Sequence, residues 1–209
     1  MITAAEAVRR LQEGNIRFQM NVRGPEAFLT QSRREELKNN QEPFAIILGC
    51  ADSRVPAEIV FDQGLGDLFV IRIAGNIVAP SGIGSVEFAA SKFGTKLVVV
   101  LGHQRCGAIL STLEELKRPT ENQSRNLRSI VDRVRPAIEK LLDAELTLGH
   151  EDLVREAVRA NIRASVRNLR KGSEIIEQLV QDGSLTIVGA EYSLETGVVD
   201  FFDGVPAGR

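Results

Sequence analysis

Hydrophobic and polar positions change their rhythm along this chain. Thr3-Ala4-Ala5-Glu6 has the capping-box form, a hydroxyl at the cap and a carboxylate three residues later. Val8, Leu11 and Phe18 follow at helical spacing and predict a helix over about residues 4–19, broken by Gly24-Pro25. A second, polar helix is predicted over about 31–39. The rhythm then shifts to short, continuous apolar runs: Phe44 to Leu48, Leu68 to Ile73, Leu97 to Leu101 and Leu185 to Val188. Such runs suit strands buried on both faces, as in a parallel sheet. Helical stretches at about 56–62, 83–93 and 106–116 separate the first three, an alternation that predicts an α/β fold.

Two long helices are predicted over 124–142 and 151–181, the second ended by Gly183. Val154, Val158, Ile162 and Val166 make one apolar stripe at steps of four. A last strand from Gly197 to Phe202 is expected to pair as an edge hairpin with the strand before it. The expected architecture is a mostly parallel central sheet of about four strands plus an edge strand, flanked by helices, with an extended N-terminal helical arm. We read 1–209 as one domain, with 1–40 as the arm and 41–209 as the core.

Composition narrows the function classes. Hydrophobic residues make up 43% and charged residues 26%, enough apolar material for a core. Lys and Arg number 26 against 28 Asp and Glu, with no basic stripe, so nucleic acid is not expected as a partner. No apolar run approaches the roughly 18 residues of a membrane span. The start, Met-Ile-Thr-Ala-Ala-Glu, has no basic region leading into an apolar stretch, so a cytoplasmic location is expected.

Only two cysteines occur, too few for a disulfide scaffold in a chain of this length. Cys50 and His103 each fall just past the carboxyl end of an expected parallel strand, where open α/β sheets place their sites. Cys106 follows His103 by three residues at a helix start, which favours the thiolate that binds metal. Two thiolates and an imidazole suit tetrahedral zinc, and three protein ligands leave the fourth position open, the mark of a catalytic rather than a structural site. A closed Cys/His cage would need His150 or a carboxylate. Asp52 and Arg54, two apart in a segment read as extended, point to the same side. The guanidinium keeps Asp52 ionised and oriented. Such a carboxylate can accept a hydrogen bond from a zinc-bound hydroxide, or swing in as the fourth ligand.

At these residues the chain resembles the β-carbonic anhydrases. The matching stretches are C-A-D-S-R-V-P-A-E at 50–58, G-D-L-F-V-I-R-I-A-G-N at 66–76, G-S-V-E-F-A at 84–89 and G-H-Q-R-C-G-A at 102–108. The resemblance implies one zinc per chain on Cys50, His103 and Cys106, and an Asp–Arg dyad at Asp52 and Arg54. It further implies a substrate pocket containing Gln41, Phe69, Phe88 and the backbone N–H of Gly107. The counterpart of Gln41 comes from the neighbouring subunit, which implies a homodimer or homotetramer.

Departures from the family pattern are visible. Phe88 stands where relatives often carry Tyr, and Gln104 and Ala108 replace a Ser and a Gly. Ile47 replaces the Trp of bicarbonate-inhibited members, although Arg72 is present. The implied activity is reversible hydration of carbon dioxide to bicarbonate and a proton by a zinc-bound hydroxide. Two alternatives remain at this stage: a CS2 or COS hydrolase on the same fold, and a non-catalytic zinc-binding or redox-sensing protein.

Overall fold

A computed structural model of the chain describes residues 1–24, 31–120, 124–144 and 149–206. Pro25, one of the two expected helix breakers, lies outside the described residues. Helix α1 (Ala4–Gln19) starts as its sequence predicts, with the Thr3 hydroxyl accepting from the Glu6 N–H at 3.2 Å. A short polar helix, α2 (Gln31–Leu37), leads to strand β1 (Ala45–Gly49). Then come α3 (Ala57–Val60), β2 (Leu68–Arg72), a 3-10 turn at Ala74–Asn76, and α4 (Pro80–Phe93). Strand β3 (Leu97–His103) precedes α5 (Gly107–Lys117) and α6 (Arg125–Ile138), which tightens into a 3-10 turn at Glu139–Ala144. The chain finishes with α7 (His150–Arg170), α8 (Glu174–Gln181), β4 (Thr186–Tyr192) and β5 (Val199–Asp203).

The five strands form one sheet in the order β2-β1-β3-β4-β5. The first four are parallel, and β5 pairs antiparallel with β4 as the expected edge hairpin. Every residue of β1 and β3 is buried, which is why both read as unbroken apolar runs. Two apolar layers cover the sheet. Ile46, Leu48, Val98 and Val100 face α4 to α8, while Ala45, Ile47, Val99 and Leu101 face α1 and α3. Val154, Val158, Ile162 and Val166 are all buried, so the predicted stripe is the face α7 lays on the sheet.

Several helix boundaries differ from the sequence reading. The helix expected over 151–181 is two helices, because Ser173 caps a new start by accepting from the Ile176 N–H at 3.1 Å. The helix expected over 124–142 changes to 3-10 geometry after Ile138. Helix α4 begins three residues earlier than expected, at Pro80, because proline suits the first turn, where its missing N–H has no partner to lose.

The arm is fastened to the core by polar groups as well as apolar ones. Asn15 donates to the carbonyls of Val60 (3.1 Å) and Gly197 (2.8 Å) and accepts from the Val199 N–H (2.9 Å). Arg17 Nε donates to the buried Asp62 carboxylate at 2.5 Å. Among the described residues no helix is long and apolar enough to cross a membrane.

At Gly14 the arm lies directly on core backbone, since a Cβ there would stand 1.8 Å from the Phe61 carbonyl oxygen. Backbone cannot yield as a flexible side chain can. Gly14→Ala is expected to destabilise the protein by at least ~1–3 kcal/mol, the usual range for overpacking. Thermal unfolding followed by circular dichroism checks this; an unchanged midpoint would contradict the packing of α1 on α3.

Candidate metal centre

Parallel neighbours end at the same edge of a sheet, and the register of β1 and β3 aligns Gly49 with Leu101. Cys50 is the first residue past β1 and His103 is the last of β3. The sequence reading ended β3 at Leu101; the strand continues because Gly102 and His103 pair with Glu191 and Tyr192 of β4. A short turn then places Cys106 at the N-cap of α5. One sulfur from each cysteine and one ring nitrogen of His103 all lie within 4.8 Å of one another, and all three residues are buried. Among the described residues this is the one His/Cys/Asp/Glu cluster with such geometry, and His150 is not in it.

The donor set fits a soft or borderline divalent cation. His103 Nδ1–H donates to the Gln104 carbonyl at 2.9 Å, which assigns the proton to that nitrogen. The other nitrogen, Nε2, is buried, carries the lone pair, and has no hydrogen-bond partner among the described residues. A buried imidazole with one nitrogen anchored and the other aimed at two sulfurs is the arrangement of a metal-ligating histidine.

The sulfurs pose a charge problem that a cation resolves. Cys50 Sγ and Cys106 Sγ are 3.8 Å apart. The contact between the two sulfurs, with further help from the Gly75 N–H at 3.3 Å, holds the Cys50 thiol down. The same contact, with burial, pushes the Cys106 thiol well up. The Ile109 and Ala108 N–H groups at the start of α5 pull the Cys106 thiol the other way, toward the thiolate. Two thiolates this close repel each other, although each sulfur has backbone N–H groups beside it. A divalent cation shared by both sulfurs removes the repulsion and lets both be thiolates.

Asp52 and Arg54 do meet, but through a turn and not through strand alternation. The Val55 N–H donates to the Asp52 carbonyl at 3.1 Å, closing a turn over Ser53 and Arg54. Asp52 Oδ1 accepts from the Arg54 backbone N–H (3.0 Å) and Nε (2.9 Å), and Oδ2 accepts from Nη2 (2.7 Å). This fork holds the Asp52 carboxyl well below the usual carboxylate range. Oδ2 lies 3.8 Å from His103 Nε2, beside the three ligands but outside their cluster.

Two supports escaped the sequence reading as parts of this centre. Arg72, level with Gly49 at the end of β2, donates to the carbonyls of Cys50 (3.2 Å) and Asp52 (2.6 Å) and so braces the loop that carries both. Gly75, with φ +69°, aims its N–H at the Cys50 sulfur. Ordinary side chains rarely adopt that backbone, and a Cβ on Gly75 would lie 3.0 Å from the Ala108 Cβ. The Gly-Asn pair at 75–76, directly after an apolar run, was the available signal.

The expected pocket residues divide into two places. Gly107 is the first residue of α5, beside Cys106, where helix geometry leaves its N–H without an intrahelical acceptor. Phe69 is in register with Ile46, four residues before Cys50, which puts it ~13 Å back along the strand. Phe69, Phe88 and Phe93 pack on one another at centroid separations of 5.6–6.2 Å, and Phe88 is 53% exposed. Gln41 is exposed in the loop before β1 and lines a 540 Å³ cavity with Arg34, Leu37, Leu65 and Phe93. The chain thus carries Gln41 and its phenylalanines together, toward the opposite end of the sheet from its own Cys50.

With this geometry in place, comparison with known proteins is specific. Residues 45–199 match the family model described as Carbonic anhydrase. A carbonic anhydrase of Mycolicibacterium smegmatis is 40% identical over 196 residues, covering 93% of this chain and 91% of that protein. The structure of the β-carbonic anhydrase CcaA superposes with a TM-score of 0.74 at 30% identity, covering 95% of this chain and 96% of that one. Tetrameric β-carbonic anhydrases of Sordaria macrospora share the fold, with a TM-score of 0.72 at 20% identity over 82% of this chain and 87% of theirs.

The Arg54 fork makes a titration prediction. A carboxylate with a depressed pKa adds stability above the unfolded value of ~3.9 and loses it as pH falls through the lower folded value. Arg54 is largely exposed, so that contribution is small. In Arg54→Ala the Asp52 midpoint is expected to rise toward ~3.9, the ordinary carboxylate value. Carbon-13 NMR of the carboxyl carbon reads it directly; a midpoint unmoved from wild type would show that the fork does not set the charge.

Proposed function

Because this chain belongs to the β-class carbonic anhydrase family, we propose that it catalyses reversible hydration of carbon dioxide to bicarbonate and a proton, with one zinc ion per chain on Cys50, His103 and Cys106. The observation that carries this reading is the meeting of two sulfurs and a lone-pair imidazole nitrogen beside a carboxylate already claimed by an arginine. Zinc, when bound, is a Lewis acid that makes an oxygen nucleophile available near neutral pH, lowering the pKa of water from 15.7 to ~7.

The chain's own residues do the rest. Asp52, kept ionised by Arg54, can only accept; it takes a hydrogen bond from the attacking O–H and turns the oxygen lone pair toward carbon. While Arg54 holds it, the Asp52 carboxylate is engaged as an acceptor beside the residues that would hold zinc. Released from Arg54, the same carboxylate could serve as a further ligand to a bound zinc. The Gly107 N–H, at the positive end of α5, donates to the oxygen that gains charge as bicarbonate forms.

Gln41, Phe69 and Phe88 serve the neighbouring subunit in this account. They lie too far along the sheet to reach their own chain's metal ligands, yet they form a polar and aromatic group exposed at the surface. Gln41 supplies an amide donor and the phenylalanines an apolar wall for a linear, non-polar molecule. The working unit is then a homodimer of single-domain chains, arm 1–40 and core 41–209, free to pair into tetramers.

Stopped-flow hydration of carbon dioxide tests the activity. The wild type is expected to be active and Cys106→Ala to fall to the buffer background; equal rates would overturn the reading. The shared pocket has its own test. Gln41→Ala and Cys106→Ala chains, each inactive alone, are dissociated and reassembled together. Half the dimers then hold one chain of each kind and one intact site, so activity should return to roughly a quarter of wild type. No recovery in verified mixed dimers would place Gln41 at its own chain's metal.

A further inference from the structure

Helix α7 carries two buried polar side chains on the face it lays against the core. Asn161 is 2% exposed and Ser165 is 4% exposed, four residues apart and therefore neighbours on the helix surface. Polar groups so placed are costly unless they are bonded. Each has a backbone partner in the 3-10 turn after β2. Asn161 Nδ2 donates to the Gly75 carbonyl at 2.9 Å, and the Ser165 hydroxyl donates to the Asn76 carbonyl at 3.0 Å.

Both of those successive residues have left-handed backbone, φ +69° at Gly75 and +44° at Asn76. Gly75 is also the residue whose N–H reaches the Cys50 sulfur at 3.3 Å. It is hemmed in on another side by α5, since a Cβ on Gly75 would meet the Ala108 Cβ at 3.0 Å. The turn is thus gripped by its carbonyls from α7 while it points an N–H at a sulfur on the far side.

We propose that Asn161, seconded by Ser165, is a positioning residue for the metal centre: it holds the Gly75 carbonyl so that the Gly75 N–H stays aimed at the Cys50 sulfur. This rests on the metal site proposed above. An N–H donated to a metal thiolate withdraws electron density from sulfur and fixes its direction, and outer contacts of this kind tune both affinity and reactivity. The residues that do this lie outside every motif near the ligands, 111 positions beyond Cys50 for Asn161 and 115 for Ser165 by their numbers.

The test uses the full chain loaded with cobalt(II), whose thiolate-to-metal charge-transfer band reports the electron density on sulfur. Asn161→Leu keeps the volume and removes the donor; Ser165→Ala is the milder variant; Asn168→Leu, at an exposed position of the same helix, is the control. Asn161→Leu is expected to move the band to lower energy and, in chelator competition, to weaken metal binding roughly 10–100-fold. Ser165→Ala should move both in the same direction by less, and the control should match wild type.

Folded Asn161→Leu and Ser165→Ala proteins with the wild-type band and affinity would overturn the proposal. If Asn161→Leu does not fold, Ser165→Ala decides alone, and a wild-type band there overturns it. A wild-type chain that takes up no cobalt would defeat the metal site itself. Uptake with an unmoved band in the variants defeats only the role of α7.

Discussion

Two parallel strands running side by side deliver their last residues to the same edge of a sheet, and the rest of this structure depends on β1 and β3 doing so in register. With Gly49 level with Leu101, the next residues along each strand are Cys50 and Gly102, and His103 follows. A shift of one residue would turn every side chain of β1 to the other face. Such a slip would move Ile46 and Leu48 out of the layer under α7 and replace them with Ile47, which packs on the arm side. The register is therefore held by two different apolar layers at once. The positions of Cys50 and His103 follow from where those layers end.

At that edge the chain concentrates groups that are unfavourable singly. Two sulfurs 3.8 Å apart, a buried imidazole nitrogen without a hydrogen bond and an acid held by an arginine are each costly or reactive. Together they make sense around a cation. The supports come from every direction: Arg72 from β2 beneath the loop, Gln104 behind the histidine, Gly75 against the sulfur and α7 behind Gly75. The cluster is preorganised by the Arg54 and Arg72 side chains together with backbone carbonyls and amides, which hold its side chains in fixed directions.

Much of this was legible in the sequence, for identifiable reasons. Strands buried on both faces leave unbroken apolar runs, so all four parallel strands and the edge hairpin were visible, and the capping box marked the start of α1 within a residue. Cys50, His103 and Cys106 were readable because strand ends and helix starts are where such residues collect. The break between α7 and α8 was hidden because Lys171-Gly172-Ser173 interrupts two helices that both have a good apolar stripe. The Asp52–Arg54 pair was found for the wrong geometric reason, since an Asx turn and an extended strand both bring those positions together.

What spacing does not carry is distance across the fold. Gln41, Phe69 and Phe88 arrived by family resemblance, and only the strand register reveals that they stand away from their own chain's ligands. Asn161 and Ser165 looked like two more polar residues in a helix, because nothing local says which face of α7 meets the sheet.

The central claim is that strand pairing assembles a zinc centre from Cys50, His103 and Cys106. X-ray absorption at the zinc edge, on protein carrying its metal in measured stoichiometry, addresses it most directly. The account predicts one zinc per chain with two sulfur and one imidazole ligands and a single light atom completing the shell. Zinc absent at stoichiometric level after reconstitution, or present without two sulfur neighbours, would contradict it.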